Sequence, residues 1–344
     1  MKGKVGLRAL QQMTVLGTLL LAAALPVHAT FPGKNGRIAF ILGPDVYTMN
    51  ADGGGVKQLT NLGPDDSAFW ESWSPNGKQI VFNEYRSPDF LGQLWLMNAD
   101  GSNQHVLLAD TDVSDERPSF TSDGSSVIFS RCMLPDIEPC ALFQVEINTG
   151  AIRAVTDFNL GVSDLSPHYS SDNRLAFTGV GRDGIICAIE LTDPHGSGLT
   201  RLTPAPLSPR QPDWSPDGRR IAFSTHCRNP QNEEIWLVTA KGDELSRLTK
   251  NGNDYFSGPH DYHPSWSPQG DAIVFERDAP DFSSAGIFIM KPDGSGCTKV
   301  LAFGPSARAS KPPHQQGQKL DNRAARRLKQ IEDGGAMPQW GAAN

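Results

Sequence analysis

Pro212 to Phe223 reads PDWSPDGRRIAF, and Pro264 to Phe275 repeats it as PSWSPQGDAIVF. An aromatic closes one short strand, a Ser-Pro-Asp-Gly turn reverses the chain, and an alternating strand follows. Pro at the second turn position presets φ, and Gly or Asn accepts positive φ, so the segment specifies a hairpin. Related copies are ESWSPNGKQIVF at Glu71 to Phe82, PSFTSDGSSVIF at Pro118 to Phe129 and PHYSSDNRLAF at Pro167 to Phe177. The apolar triplets end at Phe40, Phe82, Phe129, Phe177, Phe223 and Phe275, a period of roughly 47 residues of the kind that marks propeller blades.

Each unit continues with a third strand and a second polar turn, as in VYTMNADGG from Val46, LWLMNADGS from Leu94 and IFIMKPDGS from Ile287. A fourth strand ends in Leu-Thr at Leu59-Thr60, Leu202-Thr203 and Leu248-Thr249. The first unit, FPGKNGRIAF, lacks an aromatic-ended first strand, and Met337-Pro338-Gln339-Trp340-Gly341 supplies one. The reading is all-β: a six-bladed β-propeller of four-stranded antiparallel blades, closed by the C-terminal strand. Its inner strands end at Trp73, Phe120, Tyr169, Trp214, Trp266 and Trp340. Closure in this way removes exposed strand edges.

Composition agrees. The 344 residues include 34 Gly and 26 Pro, more than the usual ~12%. That excludes a helix bundle, while seven Trp and sixteen Phe exclude disorder along the whole chain. Lys2, Lys4 and Arg8 precede an apolar run, Met13 to Pro26, ending in Val27-His28-Ala29, which reads as a signal peptide over residues 1–29. The run is shorter than the ~20 residues of a bilayer span. The mature chain, residues 30–344, is then expected to be secreted or periplasmic. Its acidity, −7 for the whole chain, argues against a nucleic-acid partner. Of five cysteines, Cys132 and Cys140 are the best placed to pair, at the facing ends of neighbouring strands.

The repeats resemble the TolB-type, WD-like propeller family, whose signature is P-x-W-S-P-D-G, an I-A-F strand and a later M-x-x-D-G turn. The resemblance spans roughly Phe31 to Phe303 plus the last eight residues, and implies a protein partner in the cell envelope. Because Thr30-Phe31 leads straight into the first blade, no counterpart of the α/β domain that precedes the propeller in TolB itself is expected.

Inter-blade and second-to-third-strand loops fall on one face, and variable loops on a rigid scaffold carry binding residues. Three residues ahead of each inner aromatic stand Trp70, Arg117, Ser166, Gln211, His263 and Met337, expected to ring the channel mouth. Asp115, Asp164 and Asp261 precede three of the aromatics by five residues, either as mouth acids or as ties between blades. Pro-Asp pairs at Pro44-Asp45, Pro88-Asp89, Pro135-Asp136 and Pro280-Asp281 initiate turns or form an acidic ring. Tyr85, Arg86, Phe90, Arg228, Glu276, Arg277 and Phe282 are expected to be accessible beside them.

His260-Asp261-Tyr262-His263 is the nearest approach to a metal cluster, but its spacing is not that of a metal site, and no G-x-S-x-G elbow is present. No cofactor or metal is expected. The primary expectation is a non-catalytic, monomeric scaffold for a protein or peptide, with a glycan as another ligand. The alternative is a carbohydrate-active lyase or hydrolase working at the channel mouth. Residues 304–336 interrupt the pattern with seven cations against three acids, and read as a basic, partly helical insert.

Overall fold

The computed structural model describes residues 32–86, 91–133, 139–158, 161–182, 187–204, 207–225, 233–251, 258–304 and 337–343. The signal segment, the basic insert, Phe90, Arg228 and the Pro88-Asp89 and Pro135-Asp136 pairs lie outside them. Six four-stranded sheets form six antiparallel blades. The inner strands of the second to sixth blades are Ser67–Trp73, Val113–Phe120, Ser163–Tyr169, Arg210–Trp214 and His260–Trp266. The first blade is completed by Gln339–Ala342, which pairs with Asn35–Leu42. No helix among the described residues is long and apolar enough to cross a membrane.

The repeated Phe of every blade, Phe40, Phe82, Phe129, Phe177, Phe223 and Phe275, is fully buried between blades. Inner aromatics tie neighbours together. Trp214 Nε1 donates to the His168 carbonyl at 3.1 Å, and the Trp266 amide donates to Asp213 Oδ2 at 2.7 Å. Arg174 lies over the Trp214 ring and Arg220 over the Trp266 ring, each 4.8 Å from the centroid.

The M-x-x-D-G glycines form a second interlock. A β-carbon at Gly101 would come 2.9 Å from the Leu59 carbonyl of the preceding blade, and at Gly53 it would overlap the Val300 carbonyl of the last blade. Both glycines have positive φ, so turn geometry and close approach demand the same residue. Cys132 and Cys140 stand opposite each other in register and form a disulfide. Cys187 is also disulfide-bonded, and Cys297 is a free, exposed thiol.

Candidate functional site

The inner strands of the second to sixth blades each carry a bulge at the same place. Register shifts fall between Phe69 and Ser72, Glu116 and Ser119, Leu165 and His168, Arg210 and Asp213, and Tyr262 and Ser265. At the bulge stand Trp70 (φ 50°), Arg117 (53°), Ser166 (52°), Gln211 (56°) and His263 (51°), with Met337 (34°) completing the ring just ahead of the closing strand. All are non-glycine residues in the left-handed region, which costs roughly 1–2 kcal/mol each. The second strand of the preceding blade caps two of the bulges: Arg117 N–H donates to Asn83 Oδ1 at 2.7 Å and Gln211 N–H to Thr178 Oγ1 at 3.2 Å.

The bulge turns these side chains inward, and all six line one cavity in the channel. Below them the same cavity is walled by Glu71, Pro118, Pro167, Pro212 and Pro264, and then by Ser72, His168, Asp213 and Gln339. The space is narrow, about 60 Å³. Small-molecule sites commonly have ~300–1,000 Å³, so the channel takes a slender group rather than enclosing a sugar ring.

Individual members are positioned by their neighbours. Trp70 packs on Phe69 and Tyr85, and the Arg117 guanidinium lies 4.5 Å over its ring. Arg117 also contacts Glu116 at 3.2 Å. Gln211 Oε1 accepts from Ser224 Oγ at 2.7 Å. His168 Nδ1 stands 3.0 Å from Asp213 Oδ1 of the next blade. His263 is buried, with Nδ1 3.4 Å from Glu276 Oε2, a contact rather than a well-formed hydrogen bond. Burial lowers the His263 pKa against the opposing pull of Glu276, which keeps the imidazole neutral at neutral pH.

The three aspartates occupy a different place from the mouth acids the sequence suggested. Asp115 is bound bidentately by Arg131 at 2.7 and 2.8 Å, Asp261 by Arg277 at 2.6 and 2.8 Å, and Asp164 pairs with Arg182 at 2.6 Å. All three carboxylates are buried and are paired with an arginine of their own blade, and Asp261 also accepts from Asn251 at the end of the preceding blade at 2.7 Å, a tie between blades of the kind the sequence allowed. Burial raises the Asp115 and Asp164 carboxyls while their arginines pull them down. These pairs brace each blade and present no carboxylate to solvent.

Tyr85 and Glu276 are likewise buried rather than accessible. Phe282 is half-buried, stacked on the His260 ring with centroids 4.8 Å apart. Asp281 accepts from the Ser283 amide two residues on, as a turn former does, whereas Asp45 is buried and accepts from Thr60 and Leu62, tying down the end of its own blade. The His260–His263 segment forms no metal cluster: among the described residues, no group of three or more His, Cys, Asp or Glu is arranged to hold an ion.

Sequence reading passed over Glu71. Its signal was present, because ESWSPNG has Glu where the other copies have Pro.

No protein-family model matches the chain. The Tol-Pal system protein TolB of Francisella tularensis subsp. mediasiatica is 27% identical over 245 residues, covering 57% of this chain and 53% of that protein. The chain thus spans about half the length of such curated relatives. The crystal structure of TolB from Acinetobacter baumannii superposes with a TM-score of 0.64 at 19% identity, covering 90% of this chain and 67% of that one. An oligogalacturonate lyase in complex with manganese superposes with a TM-score of 0.51 at 14% identity, covering 79% and 74%. Repeat grammar, blade count and these likenesses converge: the chain carries a six-bladed β-propeller of the TolB type.

Proposed function

We propose that the protein is an exported, monomeric, non-catalytic scaffold of the cell envelope, whose channel mouth receives a segment of a protein or peptide partner. The observation that carries this reading is the ring of six non-glycine residues held at positive φ around one cavity. Glycine would relieve the backbone strain at each place. Six different side chains, Trp, Arg, Ser, Gln, His and Met, stand there instead, offering stacking, donor, acceptor and apolar surface together. Strain of this kind persists where the side chains serve a purpose.

The relatives' place in the Tol-Pal system supports an envelope protein as partner, and the leading residues 1–29 support export. The narrow cavity favours an extended peptide over an enclosed sugar. Lyase or hydrolase chemistry has only a fold likeness in its favour, and folds do not transmit activity.

Capture from native envelope tests the reading. Wild type is expected to retain partners that a folded Trp70→Ala/Arg117→Ala/His263→Ala variant loses; identical partner sets for both would remove the channel mouth as the site.

A further inference from the structure

Two residues ahead of the inner aromatic, five blades have proline: Pro118, Pro167, Pro212, Pro264 and Pro338. The second blade has Glu71. Proline walls the channel without any polar demand, whereas a carboxylate at this depth requires water or a counter-charge. Glu71 is only 2% exposed, lines the cavity, and neither of its oxygens has a partner on another described residue. A buried carboxylate without a partner, on a residue that lines a cavity, is a feature that a ligand would complete.

The nearby cations are engaged elsewhere. Arg117 contacts Glu116 and lies over Trp70, Arg210 reaches Glu233 at 3.0 Å, and Arg277 is held by Asp261. What does act on Glu71 is a second acid. Burial raises the Glu71 carboxyl well above the ordinary carboxylate range, its own backbone amide opposes that, and the charge of Glu276 adds to the rise. Glu276 is buried beside His263, and its Oε2 makes no hydrogen bond among the described residues. Glu71 therefore sits in the negative field of a second buried acid, and neither of its own oxygens has a donor on another described residue.

We propose that Glu71, backed by Glu276 and the imidazole of His263, forms a subsite for one primary ammonium group, carried into the channel on a lysine side chain or a chain N-terminus. The inference rests on the channel-mouth reading above and specifies the partner's chemistry. A cavity of about 60 Å³ fits a compact ammonium head and its last methylene. An ammonium brings three donors to the two acceptor oxygens of Glu71, with the buried charge of Glu276 adding to the attraction, while a guanidinium would need a planar slot for its fork. The carboxylate is costly in the empty channel and is satisfied in the filled one.

Thermal unfolding of the purified full chain with n-butylammonium chloride, against equal potassium chloride, tests this. At ~100 mM, n-butylammonium is expected to raise Tm by about 2 °C over potassium. Glu71→Gln, of the same shape but uncharged, should abolish that difference. A wild-type response equal to potassium overturns the proposal, as does a Glu71→Gln response equal to wild type. So does stabilisation by calcium or magnesium chloride without any by n-butylammonium.

Should Glu71→Gln fail to fold, the wild-type comparison decides alone. Triglycine amide with a free N-terminus and acetyl-Gly-Lys-Gly-amide separate the two sources of the ammonium. Equal stabilisation by acetyl-triglycine amide, which has neither, also overturns it. None of these probes depends on a captured partner, so failure here and failure of the scaffold reading are distinguishable.

Discussion

Glu71 and the five prolines that match it show how one residue can mark a site inside a repeat. Proline at this place removes an N–H donor and restricts the unfolded chain, whereas Glu71 brings a charge that burial opposes. The sign of the pH dependence follows from the direction of the shift. A carboxyl raised above its ordinary value of 4.5 holds its proton more tightly folded than unfolded, so its contribution to stability is lost as pH rises above that value. Glu71→Pro is therefore expected to stabilise the protein by ~1–3 kcal/mol at pH 7. The gain should be smaller at pH 4, where both states of the wild type are largely protonated at this position. Chemical denaturation at the two pH values measures it, and a gain independent of pH would show that Glu71 is not the titrating group. Glu71 was legible as a break in the Pro-x-aromatic pattern, but its burial and its nearness to Glu276 were not. Those depend on strands far apart in the chain being brought around one channel.

At the scale of the element, the polar turns do more than reverse the chain. Gly53, Gly101, Gly196, Gly242 and Gly294 place left-handed turns so close to the preceding blade that a β-carbon would press on a backbone carbonyl there. In the third blade, Gly150 has the same sign of φ with nothing within 4 Å. The two kinds of glycine should respond differently to alanine. Gly150→Ala carries only the left-handed penalty of ~1–2 kcal/mol, while Gly53→Ala must also push the first blade from the last, for about 3 kcal/mol or more. Equal losses in thermal unfolding would mean that the close approach carries no energy. The sequence shows these glycines as turn formers, since M-x-x-D-G is a local signal. Their contact with the preceding blade is non-local and appears only once the ring is built. The three aspartates teach the same lesson: spacing allowed Asp115, Asp164 and Asp261 to be mouth acids or ties, and the arginines that pair with them, Arg131, Arg182 and Arg277, are 16 to 18 residues further along the chain.

For the whole molecule, stability depends on joining the two ends of the chain. Gln339–Ala342 forms the inner strand of the first blade, and Trp340 packs with Phe40, Val274 and Ile287 between the first and last blades. Met337 joins the cluster formed by Phe69, Trp73 and Phe82. Gly341 allows Trp73 to lie directly against the closing strand, because a β-carbon there would meet the indole at 2.5 Å. Truncation after Ala336 removes this strand, exposes two apolar clusters and leaves an unpaired edge. Loss of soluble expression is the expected outcome, checked by fractionation of cells making the full and truncated chains. A soluble truncated protein with cooperative unfolding would show that the ring holds without its clasp.

The sequence by itself determined the blade count, the strand order, the clasp and the positions of the six channel residues. Each follows from local periodicity and turn chemistry, repeated until the register is unambiguous. Tertiary structure decided which of the candidate residues face a common space and which are consumed in holding blades together. Burial, counter-charges and the left-handed bulges arise between strands far apart in the chain, and no local pattern encodes whether a carboxylate has found its partner. Asp115, Asp164 and Asp261 found theirs among the arginines of their own blades; Glu71, on the wall of the channel, has none on another described residue.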